Sequence, residues 1–270
     1  MSALVTVVGS MNIDTTVRVV SHPRPGETVL GRSAPSAPGG KGANQAVAAA
    51  ATGAATALVA VVGTDPAGQA YRDALAEHGV DVSHVARSAV LPSGRAFITV
   101  SDDGENSIVV VPGANDELDS DLVAAALDPR PRVLLTQLES PPHVVEAALT
   151  MARDRGIRSV LNASPVVPEA AALARLADVV AVNEHERDQL GDLADVCTTL
   201  GARGATWGRA TVQPPPVAVV DTTGAGDAFA GALAGRLALG DARQEALAEA
   251  VRAGALATTT RGAQPWTLEP

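Results

Sequence analysis

Aromatic side chains are scarce: two Phe, one Tyr and two Trp account for 2% of 270 residues. A surface that stacks nucleobases needs exposed rings, so single-stranded nucleic acid is excluded as a partner. Basic residues are also outnumbered, 20 against 30 acidic ones for a formal net charge of −10, and they form no run. That balance excludes binding to a phosphate backbone and repels an anionic lipid surface. A single cysteine, Cys197, cannot close an internal disulfide and fits a reducing compartment. Every apolar run is interrupted by Gly, Pro, Asp or Thr, so no membrane span is expected. The first ten residues, MSALVTVVGS, lack a basic region and turn polar at Asn12 and Asp14. No leader is expected from that pattern, and the predicted location is cytoplasmic.

What is abundant is Ala, Val and Leu, within 46% hydrophobic residues. A chain of this length can bury a full core, and the expectation is one α/β domain over 1–270. Short β-branched runs at 4–8, 57–62, 132–138, 159–162, 178–182 and 196–200 alternate with Ala-rich helical stretches. This rhythm predicts a doubly wound, mostly parallel sheet flanked by helices. Runs at 15–20, 27–31, 94–100 and 106–111 break it. The last two, joined by Asp102-Asp103-Gly104-Glu105, read as an antiparallel hairpin. Segments 12–36 and 94–112 are therefore expected to form a small separate β-sheet lid over the polar strand ends.

Polar residues gather where buried strands end, the position at which open α/β sheets bind ligands. Asn12 and Asp14 follow the first strand; two apart, they suit a polyhydroxylated ligand or close the strand as an Asx turn. Gly39-Gly40-Lys41-Gly42-Ala43-Asn44 offers donors at a helix start, or simply a tight turn. It is not a Walker A loop, since Gly42 follows Lys41 where Ser or Thr is required. Glu139 follows another strand. Asn183-Glu184-His185-Glu186 invites a metal reading, but His185 has no partner at zinc spacing; carboxylate plus amide suits hydrated Mg²⁺ better.

The most informative stretch is 219–235, VVDTTGAGDAFAGALAG. Val219, Val220 and Asp221 are expected to end a buried strand, and Asp227 to sit in the first turn of an apolar helix. Unpaired amides at Gly224-Ala225-Gly226 can receive an anion, with Asp227 placed as a base. A plain helix cap is the alternative.

Taken together, Asn12-Ile13-Asp14, the run 39–46 (GGKGANQA), Gln137-Leu138-Glu139-Ser140, Asn183-x-x-Glu186 and the run 221–227 (DTTGAGD) resemble the ribokinase-like carbohydrate kinase family. The run 39–46 beside QLES favours its ribokinase branch. The likeness spans about 5–265 and implies ATP and Mg²⁺ as partners in phosphorylating a pentose primary hydroxyl, D-ribose giving ribose 5-phosphate. It also implies a homodimer paired through the lid. By this resemblance Asn12, Asp14, Gly40, Lys41, Asn44 and Glu139 contact the sugar, and Asp227 is the base. Gly224, Ala225 and Gly226 form the anion hole. Asn183, Thr199, Gly201, Gly204 and Gly226 meet the nucleotide, with Glu186 at Mg²⁺. Asp221, Thr223, Ala257, Thr260 and Gly262 match a potassium site. The other readings are a sugar-binding pseudokinase or a kinase of another sugar or nucleoside, for which Phe97 offers a stacking ring in the lid.

The chain departs from the family in places. Between Asn183 and Thr199 it is shorter by a helix and a strand, which predicts exposed apolar sheet in the nucleotide half. The stretch 207–217 is abbreviated, Val251 replaces a polar residue that often faces adenine, and Trp266 stands where a small hydroxyl residue is usual.

Overall fold

β-Branched runs supply the strands, and Ala-rich stretches the helices, of an alternating chain. A computed structural model describes residues 4–128 and 130–264; Trp266 lies outside them. β1 (Leu4–Val8) is followed by β2 (Asn12–Val19), β3 (Arg32–Ser33), β4 (Ala37–Gly39), α1 (Lys41–Ala50) and β5 (Ala55–Gly63). Next come α2 (Pro66–Glu77), β6 (Val80–Asp81), β7 (Val85–Ser88), β8 (Gly94–Ser101) and β9 (Asn106–Val111). The alternation resumes through α3 (Ser120–Ala126), β10 (Val133–Gln137), α4 (Pro142–Asp154), β11 (Arg158–Asn162), α5 (Ala170–Ala174) and β12 (Val179–Asn183). It ends with α6 (Glu184–Leu190), β13 (Val196–Thr199), β14 (Ala205–Trp207), β15 (Ala210–Val212), α7 (Ala225–Leu239) and α8 (Arg243–Ala257).

Among the described residues the main sheet has ten strands, ordered β15-β14-β13-β12-β11-β10-β1-β5-β6, with β7 also on β5. Pairing is parallel from β13 to β6 and antiparallel at β13-β14 and β14-β15. The chain leaves β1 toward β5 on one side and reaches β10 on the other, so the strand order reverses at β1. That reversal opens a crevice at the carboxyl ends of β1, β10 and β11. Val5, Val7, Leu58 and Leu135 pack with α1, α7 and α8, while Val8, Val59, Val61 and Leu134 pack with α3 and α4.

A second sheet, ordered β3-β2-β8-β9 with β4 on β2, stands over this crevice as the expected lid. Two expected strands do not form. Residues 27–31 are irregular, and the strand at that place is Arg32–Ser33. Residues 213–221 are irregular too, with Val219 and Val220 exposed, because the sheet already ends at β15.

Where a covering helix is expected to be lacking, the described residues of β13, β14 and β15 expose no large apolar side chain. Thr198, Thr206 and Thr211 are register partners across β13, β14 and β15 and form a threonine row on one face. Arg187 of α6 donates to Thr198 Oγ1. The opposite face carries Cys197, Trp207 and Ala210, which pack into the core with α8. Threonine keeps the strand propensity of a β-branched residue while its hydroxyl tolerates water. Trp207 is fixed by Nε1 donating to Asp195 Oδ1 and by Arg243 lying 4.5 Å over its ring.

One contact sets the site. Asp227, Gly231 and Gly235 recur every four residues and so share one face of α7. A Cβ at Gly231 would lie 2.3 Å from the Gln45 carbonyl oxygen, and one at Gly235 3.0 Å from that of Ala49. Only glycine permits this approach of α1, which brings the starts of both helices side by side.

Candidate active site

Asp227 lies in the first turn of α7, buried at 6% exposure. Its Oδ2 accepts from Asn44 Nδ2 at 2.9 Å and its Oδ1 from Gln45 Nε2 at 2.9 Å. Lys41 Nζ stands 4.0 Å from Oδ1. Burial opposes the Lys41 charge, but Asp227, Glu139 and Glu186 together outweigh it and raise its pKa above the ordinary value. Both donors to Asp227 and the Lys41 ammonium come from one turn and a half of α1, delivered by the helix contact described above.

Gly40 precedes Lys41 with φ of 88°, and a Cβ there would meet Asn12 N at 2.7 Å and Ser10 O at 2.9 Å. This position admits only glycine, because both the dihedral and the space forbid a side chain. The close approach lays the start of α1 on the end of β1. Glu139 is oriented there by Ser10 Oγ at 2.6 Å and by Lys41 N at 3.0 Å, both donating to its Oε2.

Asp14 projects from β2 toward the same place. Burial, then the nearby carboxylates Glu139 and Asp227, push its carboxyl from 3.8 up to about 7. Asn12 is buried beside it, its Oδ1 accepting from Asn115 Nδ2 at 2.9 Å. A cavity of about 160 Å³ lies between Asn12, Asn115, Glu139, Pro165 and Val110 of the lid. Its size suits one small polyol, with Asn12, Asn115 and Glu139 as polar groups in a mostly apolar lining.

Beyond Asp227 a second cleft of about 560 Å³ is bounded by Thr199, Gly201, Gly204, Val219, Phe229 and Val251, and reaches Ala225 and Gly226. Its lining is mostly apolar, as a nucleobase site requires. Val251, on α8, adds to that apolar wall. The exposed Val219 belongs to it, which is why that residue is not in the sheet. At the start of α7 the N-cap Gly224 is left-handed and no side chain caps the helix. Nothing would lie within 4 Å of a Cβ at Gly226, so the space before this helix start is open. Ala225 N donates to Thr222 O at 3.2 Å, so it belongs to the turn.

The expected metal positions separate. Asn183 and Glu186 form a reciprocal capping box, each accepting the other's backbone N–H at 2.8 Å. The N-x-x-E spacing is thus also a helix-start signature. Asp221 accepts from Thr223 N and Oγ1 and from Gly262 N at 2.9 Å. Burial alone would raise its pKa, yet those hydrogen bonds hold it below the ordinary carboxylate value. Asp221, Thr223 and Gly262 are therefore together, and Thr260 Oγ1 closes the same loop on Ala257 O at 3.5 Å. Among the described residues no three His, Cys, Asp or Glu side chains converge as a metal cluster.

A profile described as "pfkB family carbohydrate kinase" matches residues 2–269. The chain belongs to the pfkB family of carbohydrate kinases. Two relatives of this pfkB protein, both named Ribokinase, are similar over nearly its whole length. That of Haemophilus influenzae is 35% identical, with 98% of this chain and 95% of that protein covered. That of Bacillus subtilis is 36% identical, covering 96% and 94%. A structure of Arabidopsis thaliana ribokinase complexed with ribose and ATP has a TM-score of 0.84 at 28% identity, covering 97% and 94%. The family resemblance of the motifs and the doubly wound fold with its lid are both borne out.

Several residues of the site go unread in the sequence. Gln45 belongs to the motif 39–46 but carries no role there, Ser10 follows β1, and Asn115 stands in Pro112-Gly113-Ala114-Asn115. Asn115 accepts from Met11 N and donates to Met11 O, Asn12 Oδ1 and Pro112 O, so it ties the lid's return to the end of β1. Ser10 could be found as a polar residue at a strand end. Asn115 carries no local signal, since its partners lie about a hundred positions away.

Proposed function

We propose that this chain phosphorylates the primary hydroxyl of D-ribose with ATP, giving ribose 5-phosphate and ADP. The observation that carries this reading is the place of Asp227: a buried carboxylate in the first turn of α7, next in the chain to Ala225 and Gly226 of the apolar cleft and facing Lys41, whose backbone N–H holds Glu139 of the small cavity. Asn12, Asp14, Gly40, Lys41, Asn44 and Glu139 hold the sugar. Asp227 takes the hydroxyl proton as that oxygen bonds the γ-phosphorus, and the bond to the bridging oxygen of ADP breaks. The open start of α7, through Gly224 and Gly226, and the Lys41 ammonium balance charge on the transferring phosphoryl group.

Thr199, Gly201 and Gly204 border the nucleotide, a cleft whose presence favours a working kinase over a sugar-binding pseudokinase. Asn183 and Glu186 would hold Mg²⁺ at the end of β12; one carboxylate and one amide suit a hard cation that keeps water and phosphate oxygens as its other ligands. Bound with the triphosphate, that ion supplies further charge neutralisation. Asp221, Thr223, Ala257, Thr260 and Gly262 would receive potassium, an ionised carboxylate within a loop of carbonyls suiting a monovalent cation.

Ribose is preferred over a nucleoside because of the lid's pleat. Asp14, Ala96 and Val110 are register partners on the face toward the site, whereas Thr15, Phe97 and Val109 pair on the other. The Phe97 ring therefore stands on the outer side. Val17, Phe97, Val109 and Val111 leave that outer face apolar and exposed, which suits pairing of two lids in a homodimer.

An ADP-release assay across ribose, deoxyribose, fructose, adenosine and pseudouridine, with and without K⁺, tests the substrate. Release with a nucleoside and none with ribose overturns it. Asp227→Asn is expected to lower turnover about 10²- to 10⁴-fold while calorimetric ribose binding persists. Near-normal turnover removes Asp227 as the base.

A further inference from the structure

The residues that precede the C-terminal end of the described chain reach into the site. Gln264 is buried, and its Nε2 donates to Asn44 Oδ1 at 2.5 Å and to Tyr71 OH at 2.6 Å. Tyr71, fully buried, passes its own proton to Gly39 O at 2.9 Å. Gln264 sits two residues after Gly262, whose N–H is held by Asp221.

The polarity of this chain of hydrogen bonds is determined from one end. An ionised Asp227 can only accept, so the Asn44 amide must present Nδ2 to it and Oδ1 away from it. That Oδ1 then needs a donor, and Gln264 Nε2 provides it. The hydroxyl of Tyr71 accepts the second Nε2 proton and must therefore give its own to Gly39 O. Each amide orientation follows from its neighbour, with no rotamer left free to reverse. Among the described residues the Gln264 Oε1 has no partner, so its two donated bonds are what hold that side chain.

We propose that Gln264 is a positioning residue, whose amide fixes which end of the Asn44 side chain meets Asp227 and so links the loop that closes on Asp221 to the proton acceptor. The proposal rests on the reading of Asp227 as the base. Without the Gln264 donor, Asn44 Oδ1 is buried unpaired, and the amide turns to present its oxygen toward the Asp227 carboxylate in part of the population. Two acceptors then face each other, and both proton acceptance and sugar contact suffer.

Gln264→Met keeps the volume and removes the donor; it is expected to cut kcat for ribose about tenfold, the scale of one buried hydrogen bond. In an Asn44→Ala background the same substitution is expected to cost clearly less, because the Asn44 contact is already gone and only the bond to Tyr71 remains to be lost. Gln264→Glu supplies a second, independent readout. Its rate relative to the unsubstituted enzyme is expected to recover as pH falls, since a protonated carboxyl donates one hydrogen bond and an ionised one donates none. A Gln264→Met enzyme within twofold of the unsubstituted one, an equal loss in the Asn44→Ala background, or a pH-independent Gln264→Glu ratio overturns the proposal. If the unsubstituted protein does not phosphorylate ribose, the substrate reading fails by itself. The positioning role is then decided by the Asn44 side-chain amide resonance in ¹⁵N spectra, assigned by its loss in Asn44→Ala. That resonance is expected to shift in Gln264→Met, and an unmoved signal overturns the role.

Discussion

Asp14→Asn separates what the site needs from what the fold prefers. In the folded chain the Asp14 carboxyl titrates at about 7, against 3.8 for the ordinary group, because it is buried beside Glu139 and Asp227. A raised acid pKa means that the folded state binds the proton more tightly than the unfolded one. Stability therefore falls as pH rises from about 4 to about 7 and levels off above that. At about 1.4 kcal/mol per pH unit over that interval, the ionised carboxylate costs the fold up to about 4 kcal/mol. Asn carries no charge at any of these pH values. The substitution is thus expected to stabilise the protein by up to about 4 kcal/mol at pH 8, by roughly half of that near pH 5.5, and by only about 0.5 kcal/mol at pH 4. Urea unfolding of both proteins at those pH values measures the difference. Ribose affinity moves the other way, since the amide has only one acceptor where the carboxylate has two. A stability difference that stays constant with pH, or that favours Asp14 at pH 8, refutes the reasoning.

Gly231→Ala sets two effects against each other: helix propensity favours Ala by about 1 kcal/mol, but a Cβ 2.3 Å from a backbone oxygen forces α1 and α7 apart at about 1–3 kcal/mol. Net destabilisation with reduced kcat is expected in thermal melts and ribose assays, and a stabilised, fully active variant contradicts the close packing. Asn115→Ala removes four hydrogen bonds and leaves Met11 N buried without its partner, at an expected cost of about 2–4 kcal/mol. Denaturant titration checks this, and the KM for ribose should rise more than kcat falls, because Asn12 loses its support. Asp221→Ala should abolish stimulation by K⁺ in an ADP-release assay balanced with choline; an unchanged response places the cation elsewhere.

The main strands of the large sheet and the lid hairpin were legible because six of those strands are short β-branched runs between turn residues, and because the 94–111 hairpin carries its polar tip in four consecutive residues; the short β7, β14 and β15 carry no such run. The polar residues that gather at the crevice were legible for a related reason: Lys41, Asn44 and Asp227 sit in the first turn or so of a helix, Glu139 just past β10, and Asn12 and Asp14 at the start of β2. What escaped depends on pairings distant in the chain. Gln264 meets Asn44 across 220 positions, and no local pattern announces it. The strand expected at 219–221 failed because apolar residues line a cleft as well as a core, and hydrophobicity alone does not distinguish the two. The shortened 183–199 segment suggested exposed apolar sheet, whereas the threonine row appears only when β13, β14 and β15 are set in register.

The glycine stripe of α7 has a mechanical consequence. Because Gly231 and Gly235 seat α1 against α7 backbone to backbone, the lysine and amides on one helix and the carboxylate and uncapped start of the other are expected to behave as a single stiff plate. Any motion that admits substrate is then expected in the β2-β8-β9 sheet, which Asn115 ties to the end of β1 at Met11 and which carries Asn12 and Asp14 with it.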